Sequence, residues 1–300
     1  MNKIILSLAM AIGVMTSTFA QKQFEVEVRY PSAGVTSKKI TSLAKLSDAD
    51  INKAFKAIRT SGMEFRYPQG GCQQRAEMMH AILHDIGIDH AKIWLFAPSN
   101  TDPGSQTKLE INDPNGLVLG GKITWGYHVA PLIMSSRGDT LILDPSISRD
   151  APIKLRDWFR AINNSSVSSY TILDPNQFFF YTDGNGKITG SFYKYEPLAG
   201  YSTMYDKLVL EREIAVNDVA MFLKGKLDNG YADSANQIRT LVSNVNNMVN
   251  FFAASEKMEA YLSGVTVRNL LTKHPALMNE AMKYYADRVT YWTDFKGKLR

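Results

Sequence analysis

A single cysteine, Cys72, stands among the 300 residues. No internal disulfide can tie this chain together, so a buried core must hold it, and a chain of this length can build that core as one large domain or two smaller ones. Beyond residue 20 there is no run of about 20 apolar residues, and no transmembrane helix is expected. Lysine and arginine outnumber the acids by only 34 to 29, for a net charge of +5. These basic residues are scattered, with no stripe carrying interleaved aromatics, so no nucleic-acid partner is expected. Internal repeats and low-complexity tracts are missing as well, which argues against a solenoid or a linker protein.

What is present begins with an export pattern. Lys3 precedes an apolar run from Ile4 to Met15, and Ser17-Thr18-Phe19-Ala20 ends it with small residues. This reads as a secretory signal peptide over residues 1–20, cut before Gln21, and the mature chain is expected in a periplasm or secreted. The run is too short to span a bilayer as an anchor. An oxidising compartment is an unusual place to keep an unpaired thiol, which directs attention to Cys72.

Cys72 follows the turn Tyr67-Pro68-Gln69-Gly70-Gly71 and precedes an amphipathic stretch from Gln73 to Ile86, with Ala76, Met79, Leu83 and Ile86 as its apolar stripe and Gly87 as its stop. The spacing predicts a helix that starts at the thiol. Helix N-terminal amides favour a thiolate, but they contribute only about 0.3 to 1 kcal/mol, less than one pKa unit. A nucleophilic Cys72 therefore needs a histidine partner, and that histidine needs an orienting group. Otherwise Cys72 is a small buried hydrophobe.

The rest of the chain divides by character. Gln23 to Tyr30 alternates as a strand, and Ser47 caps a helix carrying Ile51, Phe55 and Ile58. Lys92 to Phe96 reads as a strand, and residues 97–116 as loops or a substrate rim around Leu109-Glu110-Ile111. Ile123 to Met134 and Thr140 to Leu143 form a hairpin over Ser135 to Asp139, and Leu155 to Ile162 a helix. Gln177 to Thr182 and Lys187 to Tyr195 form another hairpin, whose tip Asp183-Gly184-Asn185-Gly186 lacks a calcium ligand at Lys187. Phe178 to Tyr181 reads as a strand covered on both faces. From Tyr205 the pattern turns helical, with stripes through Ala235, Ile238, Val242, Val245, Val249 and Phe252, and through Met278, Met282, Tyr285, Val289 and Trp292. These predict a bundle of about four helices, serving as a separate domain, a partner-binding module or a buttress on the sheet.

The hairpin carries the partners that Cys72 needs. A turn symmetric about Arg137 sets Ala130 opposite Asp144 and His128 opposite Ser146. His128 and Asp144 then share one face as diagonal neighbours, roughly 7 to 8 Å apart at their α-carbons and within side-chain reach. Pro131 is a place where a bulge would shift this register. Cysteine at a helix start, histidine on a strand and aspartate on the next strand is the order shared by papain-like and transglutaminase-like enzymes.

The segments YPQGGCQQRAEMM, WGYHVAPLI and LILDPSI resemble three motifs of the bacterial protein-glutaminase family. That resemblance covers about residues 60–150. It implies an α+β fold with a transglutaminase-like (papain-like) core, an antiparallel sheet and a nucleophile helix over residues 21–204, followed here by a helical domain over 205–300 without a counterpart. It also implies an exported cysteine amidohydrolase that deamidates glutamine side chains of proteins or peptides, with Cys72, His128 and Asp144 as the triad. No cofactor is called for. The Cys72 backbone N–H and Gln69 are the expected oxyanion donors, and Trp125 and Tyr127 the walls of a substrate slot. The same triad also serves a transglutaminase or a cysteine peptidase, and a dead triad would leave an exported partner-binding protein. His80 and His84, one helical turn apart, with His90, form a rival metal-binding set that lacks the glutamate of a zinc-protease motif.

Overall fold

Strict alternation of side chains builds the central sheet. The structure, a computed structural model, describes residues 22–23, 38–102, 104–182, 188–192, 210–229, 231, 235–253, 270 and 272–299. The expected signal peptide, most of the first expected strand and the Asp183 to Gly186 tip lie outside these residues. The strands of the main sheet are β1 (Lys22–Gln23), β2 (Lys45–Leu46), β3 (Ala91–Phe96), β6 (Tyr127–Ser135), β7 (Thr140–Ile142), β8 (Ile153–Lys154) and β9 (Ser169–Leu173). They run in the order β1-β9-β3-β6-β7-β8, with β2 paired to the end of β6. Most pairings are antiparallel, and only β1 with β9 and β2 with β6 are parallel.

Two smaller ribbons stand off this sheet, β4 (Leu109–Asn112) with β5 (Lys122–Trp125), and β10 (Phe179–Thr182) with β11 (Ile188–Phe192). The expected strand from Ile123 to Met134 is therefore two strands in different sheets. The break falls at Gly126, where a Cβ would lie 2.5 Å from Asn100 Oδ1. Among the described residues the aromatic strand at Phe179 pairs with β11 alone, outside the main sheet.

Both faces of the sheet are covered. Trp94, Phe96, Val129, Ile133 and Leu173 face one core, and Ile93, Leu95, Ala130, Leu132, Ile142 and Ile172 the other, as the period-two geometry of strands requires. On the first face lie α1 (Asp48–Arg59) and α2 (Cys72–Asp85). The second is closed by α4 (Leu155–Ala161) and the β4–β5 ribbon, while α3 (Pro98–Thr101) is a single turn after β3. Helix α1 begins as its sequence indicates, with the Asp50 N–H donating to Ser47 Oγ at 3.1 Å.

The described C-terminal helices are α5 (Leu210–Asp228), α6 (Ala235–Val242), α7 (Val245–Met248) with a π turn at Val249–Ala253, and α8 (Pro275–Gly297). The stripe expected from Ala235 to Phe252 crosses a break at Asn244, whose side chain accepts from the Asn246 N–H. Ile214, Val219, Leu241, Met278 and Trp292 share one contiguous core with Ile58, Met78 and Leu83 of α1 and α2. Polar groups tie the same elements together. Asp218 Oδ2 accepts from Arg288 Nε at 2.7 Å and from Trp292 Nε1 at 2.8 Å, and Tyr291 donates to the Ser61 carbonyl. Among the described residues no helix is long and apolar enough to cross a membrane.

Candidate active site

The turn before α2 decides where the thiol sits. Gly71 holds φ +74°, a left-handed conformation that side chains disfavour, and its carbonyl accepts from the Arg75 N–H to start the helix. Cys72 is the first residue of α2, half-buried, with first-turn N–H groups that have no helical partner. Gly70 is pressed against α7, since a Cβ there would lie 2.1 Å from Val245 Cγ1. Tyr67 donates to the Val242 carbonyl at 2.7 Å.

The register from symmetry about Arg137 is the observed one. Leu132 pairs with Ile142, Ile133 with Leu141 and Met134 with Thr140, and the Leu143 N–H donates to the Pro131 carbonyl. Pro131 causes no slip: its missing N–H faces Leu143 just beyond the end of β7, its carbonyl still accepts from the Leu143 N–H, and the β3–β6 register runs past it unbroken. His128 and Asp144 meet as a result. The His128 Nε2–H donates to Asp144 Oδ2 at 2.8 Å, and both residues are buried.

Asp144 is itself held by three further bonds from two neighbours. Trp158 Nε1 donates to Oδ2 at 2.8 Å, while Ser146 gives its hydroxyl to Oδ1 at 2.5 Å and its N–H to Oδ1 at 3.1 Å. Burial raises its carboxyl, but the His128 charge and these bonds outweigh that and hold it at about 2. For His128, burial disfavours the cation, yet Asp144 first and Cys72 second raise it to about 9. The ring lies between two indoles, with Trp125 stacked at 4.6 Å and Trp158 at 5.7 Å between centroids.

Nδ1 of His128, the ring nitrogen that Asp144 does not engage, is buried and has no hydrogen-bond partner among the described residues. Burial raises the Cys72 thiol, but the His128 imidazole first, then Arg75 and the Val129 backbone, lower it below its ordinary value. The site thus favours a thiolate beside an imidazolium.

The remaining expected residues are more constrained than their sequence positions suggest. Gln69 gives its Nε2 to Asp113 Oδ1 at 3.2 Å, so its unpartnered atom is the buried Oε1, an acceptor. Trp125 donates to the Pro68 carbonyl at 3.0 Å and covers His128, and Tyr127 donates to Gln73 Oε1. His80 and His90 bond one another at 3.0 Å, and His90 Nδ1 bonds the Ile88 carbonyl, so these rings are engaged with each other toward the C-terminal end of α2.

Two site residues escaped the sequence reading. Trp158 lies within the helix expected from Leu155 to Ile162, and only packing aims its N–H at Asp144. Arg75 is fully buried one turn after Cys72, donating to the Tyr67 carbonyl at 3.3 Å. Burial lowers its pKa while Cys72 and Asp144 favour its charge. The three-residue spacing from Cys72 was the available signal.

Residues 51–162, a little over a third of the chain, match the family model described as glutaminase. That match covers less than half of the chain, and within it the likeness is to the glutaminase family. Similar solved structures include the crystal structure of protein-glutaminase, 25% identical over 46% of this chain and 77% of that chain, with a TM-score of 0.37. The NMR structure of protein-glutaminase from Chryseobacterium proteolyticum is 22% identical over 60% of this chain and 89% of its own, with a TM-score of 0.40. The crystal structure of pro-protein-glutaminase is 24% identical over 54% and 57%, with a TM-score of 0.39. No curated protein matches the sequence.

Proposed function

We propose that this chain is an exported cysteine amidohydrolase that deamidates glutamine side chains in proteins or peptides, using Cys72, His128 and Asp144 on a transglutaminase-like core. The observation that carries this reading is the His128 ring, with Nε2 bonded to Asp144 and a buried Nδ1 left for the thiol. The glutaminase family match over residues 51–162 supports glutamine as the substrate.

The chemistry follows from the charges. The Cys72 thiolate attacks the carboxamide carbon, a C–S bond forms and the carbonyl π pair moves to oxygen. Collapse of this tetrahedral species breaks the C–N bond, and His128 Nδ1–H gives its proton to the departing ammonia. Neutral His128 then takes a proton from water, whose oxygen attacks the thioester, and glutamate leaves as the thiolate and imidazolium are restored. Asp144 keeps the ring oriented and steadies its cation without taking the proton. The Cys72 N–H donates to the oxyanion, and Trp125 and Tyr127 flank the aliphatic part of the substrate. Residues 21–204 form the catalytic part and residues 205–300 a helical part that shares its core and offers a surface to a protein partner.

Cys72→Ala is expected to abolish ammonia release from casein while leaving the thermal unfolding transition in place. Retained ammonia release in that variant refutes the reading. Joined chains would instead mark a transglutaminase and cut chains a peptidase, both visible by mass spectrometry.

A further inference from the structure

The oxyanion of this reaction needs a second donor, and Gln69 directs one of the two N–H bonds of its Nε2 to Asp113, which holds that amide toward the loop of residues 113–118. Across the turn, Asn217 of α5 is 1% exposed, and neither its Nδ2 nor its Oδ1 has a hydrogen-bond partner among the described residues. Buried side-chain amides are ordinarily paired, so an amide orphaned on both atoms calls for a missing partner. Its location says which one. A Cβ on Gly71 would lie 3.0 Å from Asn217 Nδ2 and 3.2 Å from Oδ1, so the amide rests on the glycine that leads into Cys72. Glu213, one turn earlier on α5, acts on Tyr127, whose own phenol also feels Cys72. One face of α5 is thus turned toward the nucleophile.

We propose that Asn217 is a catalytic residue, donating from Nδ2 to the oxyanion that forms when Cys72 attacks, opposite the Cys72 backbone N–H. This rests on the amidohydrolase reading above. Asn217 transfers no proton. Its Nδ2–H donates to the oxygen that gains charge as the C–S bond forms, and that bond weakens when the carbonyl reforms and ammonia leaves. The helical part of the chain then completes the active site, and Gly71 is required there because any side chain would displace the amide.

The test compares wild type with Asn217→Ala and Asn217→Ser in the full chain. Ammonia release from casein, binding of a peptide aldehyde that replaces the glutamine carboxamide, and iodoacetamide alkylation at pH 6 are measured. Loss of the donor is expected to lower kcat about 10²- to 10³-fold, weaken the aldehyde in parallel and leave KM and alkylation near wild type, since alkylation develops no oxyanion. Wild-type kcat in Asn217→Ala, or a parallel fall in alkylation that marks a merely structural role, overturns the proposal. Should neither variant fold, the wild-type protein still decides: the aldehyde is expected to shift the Asn217 side-chain amide resonance downfield, and an unmoved resonance overturns the assignment. A wild-type protein that releases no ammonia defeats the amidohydrolase reading instead, whatever Asn217 does.

Discussion

Replacing Asp144 with Asn probes the electrostatics of the site with little change of shape. The carboxylate accepts from His128, Trp158 and Ser146, and it is the first cause raising His128 from 6.5 to about 9. That interval corresponds to roughly 3 kcal/mol in favour of the imidazolium, or on the order of 100-fold in the population of the thiolate–imidazolium pair. An asparagine also brings an N–H2 group to a place surrounded by donors, so one contact becomes a clash of donors. The assay is direct, because Cys72 is the only thiol in the chain. At pH 6, iodoacetamide alkylation of Asp144→Asn is expected to fall by about 100-fold, with the half-point of alkylation moving toward that of an ordinary thiol. Alkylation of the variant at the wild-type rate would refute the reasoning.

The same substitution has a stability signature with a definite sign. Asp144 is held at about 2, below its ordinary 3.8, so its contribution is present above 3.8 and lost as pH falls through 2. His128 is raised to about 9, so its contribution is complete below 6.5 and lost as pH rises through 9. The stability difference between wild type and Asp144→Asn is therefore expected to be widest between about pH 4 and 6.5 and to narrow on both sides.

Trp158→Phe keeps a ring against His128 but removes the N–H that helps hold Asp144 low, and loss of a hydrogen bond to a charged group of about 1.5 to 3 kcal/mol should lower kcat/KM at least tenfold and move its acid limb to higher pH. An unchanged pH profile would assign Trp158 to packing alone. Toward the C-terminal end of α2, burial first and nearby charge second hold His80 at about 4 and His90 at about 3. The unfolded chain binds protons near 6.5 that the folded one refuses, so urea stability is expected to fall as pH drops from 6.5 toward 4, and His90→Gln should flatten that slope.

Much of the site was legible because it depends on short-range geometry. A hairpin closed over Ser135 to Asp139 leaves only a few registers, and side-chain alternation then fixes which residues share a face, so His128 and Asp144 could be paired from their distances to Arg137. The thiol at the head of α2 followed from glycines before it and an apolar stripe after it. The strand from Ile123 to Met134 was not legible as two, because the turn at Gly126 is imposed by Asn100 from another element. Likewise the long stripe from Ala235 to Phe252 kept its period across the break at Asn244, where side-chain capping interrupts the helix without disturbing the apolar spacing.

By itself the chain determined its alternating strands, its helix starts, the hairpin register and the single thiol's place at a helix N-terminus. Each of these is set by neighbours a few residues away. Only the tertiary structure decided that Trp158 anchors Asp144, that Arg75 lies buried beside the thiol, and that the C-terminal helices press Val245 and Asn217 onto Gly70 and Gly71. Those contacts join elements far apart in sequence, and burial of one shared core brings them together.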